Sequence, residues 1–159
     1  MLTGVHREDC LLEVEQLQGE DFVESATLDG EDIWDRVFKP SSQSSTLVIQ
    51  LADGGGTVSG RIVDELGKVF SEPTTVILVP VARPNDHPSA NIRFQAGATG
   101  AFQLHHIRPG AYYLLAVAGS DKFPYNNIPL LDQLAGQGTP VTLRQGGQET
   151  ADVVVVHIP

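Results

Sequence analysis

The side chains best suited to chemistry in this 159-residue chain are five histidines, one cysteine and a loop that sets aromatic rings beside amides. A hydrolytic zinc site takes a His and a Glu three residues apart plus a distant His, because two neutral imidazoles and one carboxylate leave a coordination position open to water. That spacing does not occur here. His6 is followed three residues on by Asp9, His87 by Ala90, His105 by Arg108 and His106 by Pro109. His105 and His106 are adjacent, and adjacent residues on a strand point to opposite faces, so the pair does not converge on one ion. Cys10 lies among Glu8, Asp9 and Glu13, a negative setting that disfavours a thiolate nucleophile. The acidic group Asp29, Glu31, Asp32 and Asp35 offers oxygen ligands without the spacing of an EF-hand, and reads as a solvated face. The loop Lys122-Phe123-Pro-Tyr125-Asn126-Asn127 is different. A ring that stacks beside amides that hydrogen-bond is the chemistry of sugar recognition or peptide docking; the alternative is that Phe123 and Tyr125 tuck onto the edge of the fold. The expectation is therefore no catalytic residue, no metal, no cofactor, and a binding loop at Phe123, Tyr125, Asn126 and Asn127.

The elements that must hold that loop are strands. With 16 Gly and 10 Pro, many Val, Thr and Ile, and no long stretch with apolar residues three and four apart, the composition predicts an all-β protein. A formal net charge of −10 opposes phosphate backbones and anionic lipid alike, which argues against nucleic acid and favours a neutral glycan or a protein surface. No apolar run approaches the ~18 residues of a membrane span. One cysteine excludes an internal disulfide. The residues before Cys10 are charged and contain no apolar signal-peptide core.

Along the chain, alternation predicts strands over 10–17, from Phe22 to Leu28 and from Thr46 to Leu51, with Asp29-Gly30 as a hairpin turn. Asp53-Gly-Gly-Gly56 reads as a domain boundary. Seven strand segments follow from Thr57. In the first, Val58, Gly60 and Ile62 share a face, and a turn follows in which Asp64 accepts backbone hydrogen bonds and Gly67 is left-handed. Thr75 to Val81 is apolar on both faces, so it should be covered on both. Phe102 and Leu104, then Tyr112, Leu114 and Ala116, read as a β-hairpin about Arg108-Pro109-Gly110-Ala111, with Gly110 at the positive φ of a type II turn. Leu130 to Ala135 reads as a short helical turn between Pro129 and Gly136. Gln145-Gly-Gly-Gln148 reads as a second hairpin turn, before a last strand from Thr150 to Ile158. The predicted core is Val58, Ile62, Val76, Leu78, Phe102, Leu104, Ile107, Tyr112, Leu114, Val153 and Val155.

The residues Gly60-Arg-Ile-Val-Asp64, Gly67, Val76 to Pro80, Gly100-Ala-Phe102-Gln-Leu104, Ile107, Pro109-Gly110, Tyr112, Leu114 and Ala116 together resemble carboxypeptidase regulatory-like domains. These are transthyretin-like, or prealbumin-like, β-sandwiches of bacterial extracytoplasmic proteins. The resemblance covers about residues 54–159 and implies a seven-stranded Greek-key two-sheet sandwich, an extracytoplasmic setting, and a non-catalytic binding or spacer module of a larger protein. A carbohydrate-binding accessory domain beside a separate catalytic or transport domain is the alternative. Two positions depart from the family pattern: Gly97 stands where relatives place an Asp, and Pro73-Thr-Thr75 replaces a longer Pro-x-x-Gly-Ala. The Tyr-Arg-Gly-Ser ending of the transthyretin-like hydroxyisourate hydrolases is replaced by His157-Ile-Pro159. The Lys to Asn cross-link of collagen-adhesin B-type modules has no Asn in the last strand to form it. Residues 1–51 resemble the closing strands of a preceding module of the same kind. Three strands cannot close a core, so their apolar side, including Leu12, Val14, Leu28, Leu47 and Ile49, should pack on residues 54–159 or pair two copies as a homodimer.

Overall fold

The computed structural model describes residues 10–34, 37–40, 44–81, 92–96, 99–118 and 128–157. Among them, five strands precede the triglycine segment: β1 (Cys10–Leu11), β2 (Phe22–Leu28), β3 (Glu31–Asp32), β4 (Val37–Phe38) and β5 (Leu47–Ala52). β2, β3 and β5 form an antiparallel sheet in the order β3-β2-β5, and β1 pairs with β4. Asp29 and Gly30 both take positive φ, 51° and 87°, as the two central residues of a type I′ hairpin turn do. The Asp29 carboxylate accepts the Thr46 amide at 2.7 Å, which ties the turn to the start of β5. The strand predicted over 10–17 shortens to Cys10–Leu11. Gln16, at φ 59°, does not keep an extended backbone.

The remainder is an all-β sandwich of β6 (Gly56–Val63), β7 (Thr74–Pro80), β8 (Ile92–Ala96), β9 (Ala101–Ile107), β10 (Gly110–Ala118), β11 (Thr139–Leu143), β12 (Gln148–Thr150) and β13 (Val153–His157), with the helix α1 (Ile128–Ala135). β9-β6-β12 make one leaf, and β8-β7-β10-β11 make the other. β13 joins them, because Val153 and Val154 lie parallel to Ile62 and Val63 of β6, whereas Val155 to His157 lie parallel to Ala116 to Ala118 of β10. The seven predicted segments are therefore present, the last as β13, and β12, which meets the predicted last strand only at Thr150, is an additional strand.

All eleven predicted core positions are buried between the leaves, together with Ala116, Val141 and Leu143. Period-two alternation carried that prediction, as in β9, where Phe102 and Leu104 point in while Gln103 and His105 point out. β7 is covered on both faces as expected. Val76 and Leu78 face the sandwich interior, while Ile77 and Val79 meet Leu115, Val117, Leu134 and Ala135 beneath α1. The turn after β6 also forms as predicted: the Leu66 and Lys68 amides donate to Asp64 at 2.9 Å each, and Gly67 has φ 77°.

Both predicted hairpins of the sandwich are corrected. β9 pairs with β6, not with β10, because β7 occupies one edge of β10 and β11 and β13 share the other. The chain crosses between leaves at 107–110, and both strands face the core from opposite sides. Gly110 does not take the positive φ of a type II turn; His106 does, at 60°. It sits in a bulge, since Gly56 and Val58 oppose Ile107 and Leu104, and the extra residue lets both Leu104 and Ile107 face inward. The crossing is held by the Tyr112 hydroxyl, which donates to the Arg108 carbonyl at 2.6 Å. Likewise β11 pairs with β10 and β12 with β6, so Gln145-Gly-Gly-Gln148 also carries the chain between leaves.

Gly54, Gly55 and Gly56 are buried rather than extended as a free tether. The Gly146 amide donates to Gly54 at 2.7 Å, and Gly55 leaves only 2.8 Å between a built Cβ and the Glu20 carbonyl oxygen. His106 Nδ1 donates to the Asp21 carbonyl at 2.8 Å, and the Arg108 guanidinium donates to that of Glu24. These contacts seat the N-terminal sheet on the sandwich. The side chains it buries within this chain are Phe22, Val23, Ala26 and Ile33; Leu12, Val14, Leu28 and Leu47 are half-buried, and Ile49 is exposed.

Candidate functional site

The predicted binding residues Phe123, Tyr125, Asn126 and Asn127 lie outside the described residues, between the end of β10 at Ala118 and the start of α1 at Ile128. Asp35, His6 and His87 lie outside them too. The rest of the acidic group does local work: Asp29 holds Thr46, and Asp32 accepts the Trp34 amide at 3.1 Å. The Thr46 amide, with the Ser45 hydroxyl, holds the Asp29 carboxyl below the usual carboxylate range. Among the described residues no three His, Cys, Asp or Glu side chains converge as a metal-binding group.

The polar chemistry that the structure does bring together is on the outer face of β9-β6-β12. Alternation that sends Val58 and Ile62 inward sends Thr57, Ser59 and Arg61 outward, and the same rule exposes Ala101, Gln103 and His105 on β9. Register aligns them in rungs across the leaf. Gln103 opposes Ser59, which opposes Thr150, and the Ser59 and Thr150 hydroxyls are 3.3 Å apart. Ala101 opposes Arg61, whose guanidinium meets the Asp152 carboxylate through two bonds of 2.8 and 3.3 Å. Thr57 opposes Gln148, and its hydroxyl lies 3.3 Å from His105 Nδ1. Ser59, Arg61, Gln103, Thr150 and Asp152 line an open depression of about 880 Å³.

Asp152 reaches Arg61 because the last strand breaks beside Gly60. A Cβ on Gly60 would lie 2.7 Å from the Ala151 carbonyl carbon, and the Ala151 amide donates to the Ser59 carbonyl at 2.9 Å. This close approach brings Asp152 alongside Arg61, where its carboxylate also accepts the Arg61 amide at 3.2 Å. The Arg61 hydrogen bonds hold the Asp152 carboxyl below its ordinary range and raise the Arg61 guanidinium further. Both groups stay ionised and cancel locally. The face thus presents hydroxyls, an amide and a neutralised ion pair to solvent, groups that bond hydroxyl-rich or peptide ligands. Sequence reasoning missed it, although the polar positions at every second residue of the strand segments carried the signal.

Neither the family models nor the curated proteins compared include a match to this chain. Among solved structures it is similar to a DUF3823 family protein from Parabacteroides merdae, at 15% identity and TM-score 0.44 over 65% of this chain and 46% of that one, so it spans less than half of that protein's length. A candidate carbohydrate binding protein from Pseudomonas aeruginosa is similar at 16% identity and TM-score 0.40, covering 64% of this chain and 89% of that one. The dioxygenase domain of a dioxygenase carbohydrate-binding protein fusion from Streptomyces sp. SirexAA-E is similar at 15% identity and TM-score 0.37, covering 65% and 80%. Nothing about ligand or activity transfers at this level of similarity.

Proposed function

We propose that this chain is a non-catalytic β-sandwich module that binds a neutral, hydroxyl-rich ligand, a glycan in the first instance, on the outer face of β9-β6-β12. The observation that carries the reading is the set of aligned polar rungs on a rigid sheet, open to solvent along its length. Recognition of an extended polymer depends on hydrogen-bonding groups at fixed spacing along an open surface. The overall charge of −10 and the local cancellation of Arg61 by Asp152 both favour an uncharged ligand.

The residue pattern over 54–159 supports reading the sandwich as a carboxypeptidase regulatory-like, transthyretin-like module, with 1–51 as the closing strands of a preceding one. On that reading it is part of a larger extracytoplasmic bacterial protein and acts beside a catalytic or transport domain. No helix among the described residues is long and apolar enough to cross a membrane. The loop with Phe123, Tyr125, Asn126 and Asn127 carries a stacking ring and amides in sequence and is the rival location for the ligand.

The test is affinity electrophoresis and calorimetry against neutral polysaccharides, with Gln103→Ala, Thr150→Val and Tyr125→Ala. Each lost hydrogen bond or stacking contact is worth about 0.5–1.5 kcal/mol, or roughly two- to tenfold in affinity. A ligand whose affinity is unchanged by Gln103→Ala and Thr150→Val overturns the placement on this face. Affinity lost only with Tyr125→Ala moves the site to the loop.

A further inference from the structure

We propose that β5 is an interaction edge, and that its partner is β5 of a second copy of this chain, paired antiparallel about Ile49. Among the described residues β5 hydrogen-bonds only to β2, so it is the outer strand of the order β3-β2-β5. An edge strand offers a row of amides and carbonyls, and proteins usually blunt it with charge, proline or a bulge on the edge. The segment from Thr46 to Ala52 contains no charged residue and no proline. Its side chains are open on both faces: Val48 is 54% exposed, Ile49 37% and Leu51 46%.

Three observations select a second copy as the occupant. An edge with no strand partner among the described residues calls for another strand rather than a helix or a flat surface. Next, Leu47-Val48-Ile49-Gln50-Leu51 places Leu, Ile and Leu at alternate positions that read the same in both directions. An antiparallel twofold through Ile49 therefore sets Leu47 opposite the partner's Leu51, Ile49 opposite the partner's Ile49, and Val48 opposite the partner's Gln50. A twofold interface must be self-complementary in this way. Finally, Ile49 and Leu51 continue the face of Ala26 and Val23, their register partners on β2, which are 0% and 4% exposed. Pairing extends that buried apolar face across the twofold into one six-stranded sheet, β3-β2-β5 followed by the same three strands reversed. Because each chain carries −10, added salt should strengthen association by screening the two molecules from each other.

The experiment is sedimentation equilibrium of the full chain across a wide concentration range at low and moderate salt, with Ile49→Lys. Two lysines directly opposite each other repel and remove the central apolar contact, so Ile49→Lys should weaken dimerisation at least about tenfold while far-ultraviolet circular dichroism stays unchanged. A second variant keeps the proposal falsifiable if the lysine disturbs folding. Opposed residues of an antiparallel pair have Cα atoms about 4.5–5.5 Å apart, within disulfide range, so Ile49→Cys in a Cys10→Ser background should cross-link as a dimer under mild oxidation. Leu66→Cys in the same background, at a turn position 93% exposed, should not. A monomer at every concentration, a dimer indifferent to Ile49→Lys, an absent Ile49→Cys cross-link, or open-ended growth beyond two copies each overturns the proposal.

Discussion

Gly60→Ala should be among the most damaging single-methyl changes in the sandwich. The residue does not need the left-handed region, so backbone conformation is not at issue and the effect is one of space. A Cβ there runs first into the Ala151 carbonyl oxygen, and lies 2.7 Å from that carbonyl's carbon and 3.0 Å from the Phe102 ring, against 3.4 Å or more for ordinary contact. Phe102 is 4% exposed and has no room to swing away, so the Ala151 carbonyl must retreat until its oxygen clears the methyl, which is more than the roughly 0.7 Å its carbon alone would need. That shift strains the hydrogen bond from Ala151 to Ser59 and draws Thr150 and Asp152 away from their partners. Forced overpacking of a filled interior costs about 1–3 kcal/mol, and a clash against backbone belongs at the upper end. For a chain of this size, about 3 kcal/mol lowers the melting temperature by roughly 6–12 °C. Thermal unfolding followed by circular dichroism reads this directly. Gly136→Ala is the control, because its nearest neighbour would be 3.6 Å away, and it should stay within about 0.5 kcal/mol of the wild type. A Gly60→Ala melting point within about 2 °C of the wild type would refute the claim that close approach at Gly60 shapes the strand break.

Leu134→Ala should cost about 2–4 kcal/mol in urea unfolding, since it removes a 6% exposed side chain that covers Ile77 and Val117; a cost below 1 kcal/mol would mean that α1 is not a fixed cover. Tyr112→Phe loses the bond to Arg108 and should cost about 1 kcal/mol with the fold unchanged, as read from the urea midpoint. The Asp152 carboxyl titrates below 3.8 when folded, chiefly through its hydrogen bond to Arg61. The stability it adds is therefore present above about pH 3.8 and is lost as pH falls through its lowered folded value. Unfolding midpoints measured from pH 6 downward should show a shallower acid-side loss for Asp152→Asn than for the wild type, and equal slopes would remove the pair from the account.

The core was legible because strands write burial at period two, and Val58, Ile62, Phe102, Leu104, Tyr112 and Leu114 all obey that rule. Which strand pairs with which was less legible. Pro109-Gly110 between two alternating runs satisfies a hairpin and a crossing between leaves equally, and the choice depends on β7, β11 and β13 competing for the edges of β10, which is a matter of tertiary pairing. Gly54 to Gly56 read as a domain boundary by composition, and the structure shows what composition does not, that their missing side chains admit Glu20 and Gln145. The candidate face escaped notice for a related reason. Ser59, Gln103 and Thr150 come from three separated segments, and their polarity looks like ordinary solvent exposure until register places them side by side.

The most direct test of the proposed binding surface is an amide chemical-shift titration of the isotopically labelled chain with a neutral polysaccharide selected by the binding screen. Shifts should concentrate at Thr57 to Arg61, Ala101 to His105 and Gln148 to Asp152, with any further set confined to 119–127. Shifts confined to β7, β10 and α1, with the outer face of β9-β6-β12 unmoved at saturation, would contradict it.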